Sequence, residues 1–315
     1  MNPVNVLVCG TNYGRIYLDA IDLAGADYRL VGILANGSVR SQQLAGAYGV
    51  PLYRSSEALA PSIDLACAAM GAAGSDVVLG LLTRGIHVLC EHPQKSSRLE
   101  SALETAASRS LCFHVNGHFA DLKPAVAFIR CCRRANRAAR PSFFHVTVTD
   151  RSLYAALDIL RRVLPSFAPF EFRVTSRLPP FTIIQGLLNG VPATFHLQHS
   201  APGLFLQDAS TSYLVDHRIA AGFPTGILTL LSMIGPVVWN ANPNCAAHSG
   251  HPLFIVAYED RALTAELLYR QRVIATLTAI SAAAKTIRER FAPPQQTPDY
   301  LLDVSRTWEA IGALL

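Results

Sequence analysis

The chain has 315 residues, a length that suits two domains of ordinary size better than one small module. Half of the residues (50%) are hydrophobic and only 16% are charged, so the chain can bury a large core and is not disordered. A net charge of +5 is a mild excess and does not indicate a dedicated nucleic-acid binder, which would usually carry a concentrated basic face.

Cysteine usage and the absence of an apolar leader indicate the compartment. The seven cysteines are odd in number and include no CxxC pair, which favours buried free thiols in a reducing environment. The start at Met1 lacks the basic segment of a signal peptide. Residues 219–258 contain no Asp, Glu, Lys or Arg, but prolines and glycines interrupt this run. We therefore expect a cytoplasmic protein with no membrane contact.

Apolar strands alternate with helices over the first third of the chain. The expected strands are 5–9, 28–35, 51–53, 63–69, 86–90 and 111–115, and the expected helices are 14–24, 41–48, 76–84 and 98–108. The apolar runs are continuous, as they are in strands that are covered on both faces. This pattern predicts an α/β fold with an N-terminal Rossmann doubly wound parallel sheet.

Strands separated by Gly and Pro turns dominate the rest of the chain. We expect strands at 142–149, 172–177, 182–187, 194–199, 212–219 and 227–234, and helices at 121–140, 153–164, 262–290 and 299–315. The pattern predicts a C-terminal α+β domain with a mostly antiparallel open sheet. The domains are expected to be 1–120, which binds the cofactor, and 121–315, which shapes the substrate pocket and a homodimer interface. The last helix is expected to pack back on the first domain.

A glycine loop joins the first predicted strand to the first predicted helix. Its residues are Gly10, Thr11, Asn12, Tyr13 and Gly14. Small residues at this point let backbone N–H groups and the helix N-terminus approach a pyrophosphate. The spacing is Gly-x-x-x-Gly instead of G-x-G-x-x-G, and such glycines also occur in ordinary turns. The position of the loop in the first βαβ unit favours dinucleotide binding.

The end of the second predicted strand indicates which dinucleotide is bound. NAD enzymes usually place an acid there to hold the ribose 2′-hydroxyl, but residues 35–41 contain none. Ser38 and Arg40 can instead both donate hydrogen bonds to a 2′-phosphate, which favours NADPH over NADH. An ordinary surface loop is the alternative interpretation.

A Glu91-His92-Pro93 turn follows the predicted strand at 86–90. The carboxyl ends of parallel strands line a ligand crevice, so this turn is expected beside the nicotinamide. His92 could supply a proton near neutral pH, although histidines at such positions also simply bond the backbone.

A strand that ends in Glu-x-Pro resembles the glucose–fructose oxidoreductase/inositol dehydrogenase-like superfamily, which usually has Glu-Lys-Pro with the lysine in the active site. Here His92 replaces that lysine, which disfavours a sugar dehydrogenase. The chain is similar to the thiazolinyl imine reductases of siderophore biosynthesis, of the pyochelin and yersiniabactin type. The segments that share this resemblance are 8–18, 34–41, 82–93, 221–226 and 234–240.

The resemblance implies an oxidoreductase reaction. NADPH would deliver hydride to the C=N carbon of a thiazoline, and a proton would add to the nitrogen to give a thiazolidine. The substrate would be a salicyl-derived thioester on a peptidyl carrier domain of a nonribosomal peptide synthetase. Glu91, His92 and Pro93 would lie at the site, with His92 as the candidate general acid.

The resemblance leaves the proton donor open. A tyrosine considered in some members aligns with Phe119, which cannot donate a proton. His92 acts alone, or His118 or bound water assists it, and a purely structural role fits His118 equally well. Asn116 in the same stretch is a candidate substrate contact.

Two further sets of residues have both functional and structural interpretations. Tyr154 and Asp158 lie one helical turn apart and could contact substrate, or could simply pack their helix. An arginine stripe could meet an acidic carrier domain or its phosphate, or could be a solvated helix face. The stripe comprises Arg130, Arg133, Arg134, Arg137 and Arg140.

No metal is expected. His196 and His199, like His248 and His251, lack neighbouring acidic or cysteine partners, and strand alternation separates the first pair. Two other functions remain as alternatives. One is a sugar or polyol oxidoreductase of the same superfamily, and the other is a non-catalytic dinucleotide-binding protein.

Overall fold

The computed structural model describes residues 2–60, 62–199, 217–246 and 252–315. The chain forms two compact units. The first comprises Met1–His118 and Tyr269–Leu302, and the second comprises Phe119–Leu268 and Asp303–Leu315. The segment that rejoins the first unit thus starts well before the last helix, which the sequence analysis had assigned this role. The predicted fold class is confirmed.

The first unit contains a six-stranded parallel sheet. Its strands are β1 (Val4–Cys9), β2 (Tyr28–Leu34), β3 (Leu52–Tyr53), β4 (Leu65–Ala68), β5 (His87–Glu91) and β6 (Phe113–Asn116). Their order is β3-β2-β1-β4-β5-β6, and every neighbouring pair is parallel. The order reverses between β1 and β4, and in such sheets ligands bind outside the carboxyl ends of the strands at that point.

The described α-helices are α1 (Arg15–Ala24), α2 (Val39–Tyr48), α3 (Ser75–Thr83), α4 (Ser96–Ser108), α5 (Lys123–Asn136), α6 (Leu153–Arg161), α7 (Pro243–Ala246), α8 (Ala265–Glu289) and α9 (Pro298–Gly312). Eight of the described helices lie close to their expected positions, and the short α7 was not expected. Helix α2 begins where the Ser38 side chain accepts a hydrogen bond from the Ser41 N–H, and it ends at Gly49 in the left-handed conformation.

The core of the first unit forms between its sheet and its helices. Val6 and Val8 of β1 are fully buried, and Ile16 of α1 packs in the same cluster. Helix α8 adds Ile280 and Ala283, which are also fully buried. Burial of one such large apolar side chain contributes about 1.5–3 kcal/mol. Helix α8 is therefore an integral part of the first unit, although more than a hundred residues separate it from β6 in the sequence.

The second unit contains an eight-stranded sheet. Its strands are β7 (Phe143–Thr149), β8 (Phe170–Leu178), β9 (Phe181–Leu188), β10 (Val191–Gln198), β11 (His217–Phe223), β12 (Gly226–Leu230), β13 (Val237–Ala241) and β14 (Phe254–Tyr258). The order is β14-β13-β12-β11-β7-β10-β9-β8, and only the β7–β10 pair is parallel. The first residues of the predicted strand 212–219 lie outside the described residues.

Helices and alternating side chains define the faces of this sheet. Helix α5 packs on β12, β13 and β14, and helix α6 packs on β7 and β11. In β10, Ala193 and Phe195 are buried whereas Pro192 and His196 are exposed, which is the alternation of a sheet with one covered face. Use of the other face in a homodimer stays a prediction.

Two further predictions were that the chain has no membrane contact and that its cysteines are buried free thiols. None of the described helices is long and apolar enough to cross a membrane. The seven cysteines are free, and only Cys245 is classed as exposed.

His114 in β6 makes the stability of the first unit sensitive to acid. It is only 2% exposed, and neither ring nitrogen has a hydrogen-bond partner among the described residues. Burial lowers its pKa from 6.5 to about 4. Between these values the unfolded chain binds more protons than the folded chain, so acid destabilises the fold.

We expect the free energy of unfolding to fall on acidification from pH 6.5 to pH 4, with His114 contributing up to about 1.4 kcal/mol per pH unit. Urea unfolding at a series of pH values measures this slope. The slope should be shallower in His114→Gln and unchanged in His196→Gln, which removes an exposed histidine. Equal slopes in all three proteins would contradict the expectation.

Candidate active site

Two glycines shape the turn that follows β1. Gly10 has φ +87°, and a β-carbon there would lie 2.5 Å from the carbonyl oxygen of Ala69. A β-carbon on Gly14 would lie 2.0 Å from the carbonyl oxygen of Gly10. Both positions therefore require glycine. The turn brings the start of α1 against the end of β4, where the sheet order reverses.

A cavity of about 550 Å³ opens beside this turn, and its volume is in the usual range for a cofactor site. The residues that line it are Gly10, Thr11, Asn12, Tyr13, Ala35, Asn36, Ser38, Arg40, Ala69, Met70 and Gly71. Six of the predicted cofactor contacts thus surround one space. The other three predicted cofactor contacts, Gly14, Glu91 and Pro93, are not among the described residues that line the cavity.

One corner of the cavity contains the residues predicted to bind a 2′-phosphate. The Arg40 Nη1 donates to the Asn12 Oδ1 at 3.1 Å, which holds the guanidinium across the mouth of the cavity. The Ser38 hydroxyl caps α2 through the Ser41 N–H at 3.3 Å. None of the described lining residues is acidic. The corner is therefore suited to an anion.

The sequence analysis missed a second cation at this corner. A β-carbon on Gly37 would lie 2.8 Å from the Arg54 Nε, so the Arg54 guanidinium lies against the loop that contains Asn36 and Ser38. Arg54 is exposed, and the described residues offer it no hydrogen bond or ion pair. It follows β3, and the carboxyl ends of β2 and β3 meet at one edge of the sheet. This adjacency was the signal that could have identified it.

A buried carboxylate lies at the end of β5. Glu91 is 7% exposed. It accepts hydrogen bonds from the Tyr17 hydroxyl and from the Asn116 Nδ2, the latter at 2.9 Å. Asn116 also donates to the Tyr17 oxygen at 2.8 Å, so the hydroxyl hydrogen of Tyr17 points to Glu91. Burial raises the pKa of Glu91 above its usual value, and His92 and these two donors offset only part of that rise.

This network assigns a structural task to two side chains. Tyr17, which the sequence analysis did not select, is fully buried in α1 and joins that helix to β5. Asn116 is also fully buried, and it orients Glu91. The predicted contact of Asn116 with substrate stays a prediction.

The proton-bearing atom of His92 follows from its hydrogen bond. Its Nδ1 lies 2.6 Å from the backbone oxygen of Asn116. A carbonyl can only accept, so Nδ1 carries a hydrogen and Nε2 is the atom that gains or loses a proton. The Glu91 Oε2 lies 3.8 Å from Nδ1, within the distance of an ion pair with an imidazolium. His92 is thus arranged as an acid or base.

His118 lies next to His92, with ring centroids 6.0 Å apart. It is fully buried, and its Nε2 lies 2.9 Å from the Tyr13 hydroxyl. Arg272 of α8 donates from Nη2 to the same hydroxyl at 2.9 Å. Burial, followed by His92 and Arg272, lowers the pKa of His118 well below its usual range. His118 is therefore a neutral imidazole near neutral pH.

The sequence offered no signal for Arg272 because it comes from a helix far along the chain. Phe119 is half-buried next to His118 in the sequence, and it offers no proton.

Ligand atoms of Glu91, His92 and His118 all lie within 4.8 Å of one another. Two histidines and a carboxylate form a known metal-binding set. Here, however, the Nε2 of His118 is bonded to Tyr13, and the Nδ1 of His92 donates to a carbonyl. A metal would have to replace these hydrogen bonds or bind the other ring nitrogens.

The sequence analysis also considered His196, His199, His248 and His251 as metal ligands. His196 is exposed on β10, and the His199 Nε2 bonds the Thr182 hydroxyl at 2.7 Å. His248 and His251 lie outside the described residues.

The candidate substrate residues of α6 lie within the second unit. Tyr154 is 3% exposed and meets Trp308 edge-on at 6.4 Å. Asp158 is 5% exposed, and its Oδ2 pairs with the Arg162 Nη2 at 3.3 Å. Arg162 also binds Asp121. These contacts pack and fix α6, and the substrate role of Tyr154 and Asp158 stays a prediction.

The arginine stripe is exposed along its whole length. Arg133 donates to the backbone oxygen of Arg162 at 2.7 Å, and Arg140 donates to that of Asn189. Arg130, Arg134 and Arg137 complete a positively charged face along and beyond α5.

Two family models match the chain. Residues 4–117 match the oxidoreductase family with an NAD-binding Rossmann fold, GFO/IDH/MocA. Residues 139–240 match the C-terminal domain described as thiazolinyl imine reductase Irp3-like. A search of curated proteins found no significant match.

Solved structures share the fold along nearly the whole chain. An oxidoreductase from Agrobacterium radiobacter, in complex with NAD⁺, L-tartaric acid and magnesium, has TM-score 0.72 and 12% identity, with 99% of this chain and 96% of that chain covered. UDP-N-acetylglucosamine 3-dehydrogenase GnnA from Acidithiobacillus ferrooxidans has TM-score 0.71 and 13% identity, with 100% and 98% covered. A super-repressor mutant of Gal80p from Saccharomyces cerevisiae has TM-score 0.72 and 15% identity, with 99% and 95% covered.

Identities this low establish the fold alone, so the family models decide the membership. They match the nucleotide-binding part and the second unit separately, and the first match contains both the glycine turn and the Glu91–His92 pair. The chain thus combines an N-terminal domain of the GFO/IDH/MocA oxidoreductase family with an Irp3-like C-terminal domain.

Proposed function

We propose that this oxidoreductase is an NADPH-dependent reductase that converts a carrier-bound thiazoline to a thiazolidine. The observation on which the proposal rests is the match of residues 139–240 to the Irp3-like domain. The presence of His92 where the superfamily usually has a lysine supports it further. The substrate is a thioester on a peptidyl carrier domain, in nonribosomal siderophore biosynthesis.

The residues present fit a dinucleotide. The space that a β-carbon on Gly10 would fill lets the backbone of Gly10–Tyr13 and the start of α1 approach a pyrophosphate. Arg40 and Arg54, with Ser38, present two cations and a hydroxyl to a 2′-phosphate. NADPH, when bound, supplies the hydride for the C=N carbon.

His92 supplies the proton in this proposal. In its protonated form Nε2 carries the transferable hydrogen, because Nδ1 donates to the Asn116 carbonyl. The proton goes from Nε2 to the ring nitrogen as the C=N double bond becomes a single bond. Glu91 stabilises the protonated imidazole before transfer, and the neutral ring regains its proton from solvent afterwards.

The arginine stripe supports the proposed carrier partner. In this proposal the carrier domain offers the protein an acidic surface and an arm that bears a phosphate. Exposed arginines attract both of these negatively charged groups. Arg130 and Arg134 are exposed on α5.

Two specific similarities keep other functions in view. A sugar nucleotide dehydrogenase has the same fold, which favours a sugar or polyol oxidoreductase as the second candidate. A super-repressor mutant of Gal80p has the same fold, and because a repressor need not be a catalyst, a non-catalytic dinucleotide-binding protein is the third candidate. His92 counts against the second candidate because the usual lysine is absent.

The purified protein should reduce a hydroxyphenyl-thiazoline presented as a carrier-bound thioester. NADPH oxidation is followed by absorbance, and the carrier-bound product by mass. A gain of two hydrogens on the carrier-bound species is the expected result. NADP⁺ reduction by a panel of sugars would support the second candidate instead, and tight NADPH binding without turnover would support the third.

Arg40→Ala and Arg54→Ala should each weaken NADPH binding by about 10- to 100-fold, as loss of a charged hydrogen bond does. NADH affinity should change little because NADH lacks the 2′-phosphate. Fluorescence titration of both dinucleotides measures the two dissociation constants. Arg109→Ala is the matched control, since exposed Arg109 precedes β6 at the other edge of the sheet. An unchanged preference in Arg40→Ala would refute the assignment.

His92→Ala should lower kcat by about 10²- to 10⁴-fold, the usual contribution of a general acid. The NADPH dissociation constant should change little. Single-turnover kinetics and the fluorescence titration separate these effects. His196→Ala, an exposed histidine of β10, serves as the control. Equal losses in turnover and in NADPH affinity would show that His92 only maintains the cofactor site.

A further inference from the structure

We infer that Arg272 and Tyr13 are positioning residues that keep His118 as the neutral Nδ1–H tautomer and thereby reserve the transferable proton for His92. The role of His92 in this inference rests on the proposed function. The state of His118 does not, because it follows from hydrogen bonds within the first unit.

The direction of each hydrogen bond sets the tautomer. A guanidinium can only donate, so the Arg272 Nη2 donates to the Tyr13 oxygen. Among the described residues the acceptor for the single hydroxyl hydrogen of Tyr13 is the His118 Nε2. We assign the hydrogen to this bond, which leaves Nε2 unprotonated and places the ring hydrogen of His118 on the buried Nδ1.

Charge and burial keep this ring neutral. His118 is fully buried, and the Arg272 guanidinium lies 5.7 Å from the centre of the Tyr13 ring. Among the described residues, the titratable groups around His118 include Tyr13 from the glycine turn, His92 and Glu91 from the end of β5, and Arg272 from α8. Arg272 opposes a second positive charge at this point.

Two imidazoles this close compete for one proton. The ring centroids of His92 and His118 are 6.0 Å apart, and protonation of one disfavours protonation of the other. The Tyr13 hydroxyl occupies the Nε2 lone pair of His118, whereas Glu91 lies near the Nδ1 of His92. These contacts disfavour a second proton on His118 and leave the Nε2 of His92 as the atom that exchanges the proton in the proposed function.

Tyr13 and Arg272 thus act through His118 and need no contact with the reacting atoms. This arrangement explains why a helix from the far end of the sequence reaches the glycine turn. It also explains the pairing of a tyrosine with an arginine, because Arg272 forces the hydroxyl hydrogen towards His118.

NMR of protein labelled with ¹⁵N in histidine rings tests the inference without substrate. The ring nitrogen signals report tautomer and protonation, and His118→Gln and His92→Gln assign them. Between about pH 5 and pH 8, where histidines normally titrate, wild-type His118 should stay neutral with its hydrogen on Nδ1. In Tyr13→Phe it should become a mixture of tautomers, and in Arg272→Ala it should titrate at higher pH.

Activity supplies a second readout. In Tyr13→Phe, kcat should fall by about tenfold, less than after loss of the acid itself, and its pH profile should change. Arg272→Lys should restore part of what Arg272→Ala loses. Tyr28→Phe is the matched control, because it removes a hydroxyl that bonds Ser281 of the same helix.

The outcomes separate this inference from the proposed function. Expected NMR spectra without imine reduction would leave the His118 assignment standing and overturn the proposed reaction. Imine reduction with His118 signals and pH profile unchanged in Tyr13→Phe would overturn the positioning role. A protonated His118 in the wild-type protein at neutral pH would also overturn it.

Discussion

Burial of the Glu91 carboxylate is the constraint around which the site is organised. Removal of a carboxylate from water costs on the order of several kcal/mol unless hydrogen bonds and charge compensate. Here Tyr17 of α1 and Asn116 of β6 donate to it, and His92 lies beside it. Three separate elements must therefore be in place before the charge is tolerated. The same contacts fix the backbone oxygen that holds His92, so the stability of the first unit and the orientation of His92 have one origin.

The glycine turn imposes a second requirement, close approach of backbone to ligand. Gly10 accommodates the carbonyl of Ala69 at a distance that no other residue permits, and the cavity opens at that point. Tyr13 in the same turn reaches His118. The cavity and the pair of His92 and His118 are consequently linked by a few residues of one loop, which agrees with the proposed reaction, in which hydride and proton must arrive at adjacent atoms.

The sequence predicted those parts of the fold and site that depend on local pattern. Every strand of the first sheet was expected within a few residues, and six predicted contacts surround one cavity. Strands β13 and β14 were missed because the prolines and glycines of a charge-free run obscured their pattern. Arg54 and Arg272 were missed for a different reason. Their roles arise from the adjacency of strand ends and from the return of α8, and neither is encoded near the motif that it serves.

A shared fold leaves the chemistry to the residues at the site. A lysine at position 92 would remain charged near neutral pH, and Arg272 is already a nearby cation. A histidine can be neutral between turnovers, accept a proton at Nε2 and release it to a ring nitrogen. That exchange requires the neighbouring His118 to stay neutral, which burial and Arg272 ensure. The replacement of lysine by histidine and the arrival of an arginine from α8 are thus consistent parts of one arrangement for moving a single proton.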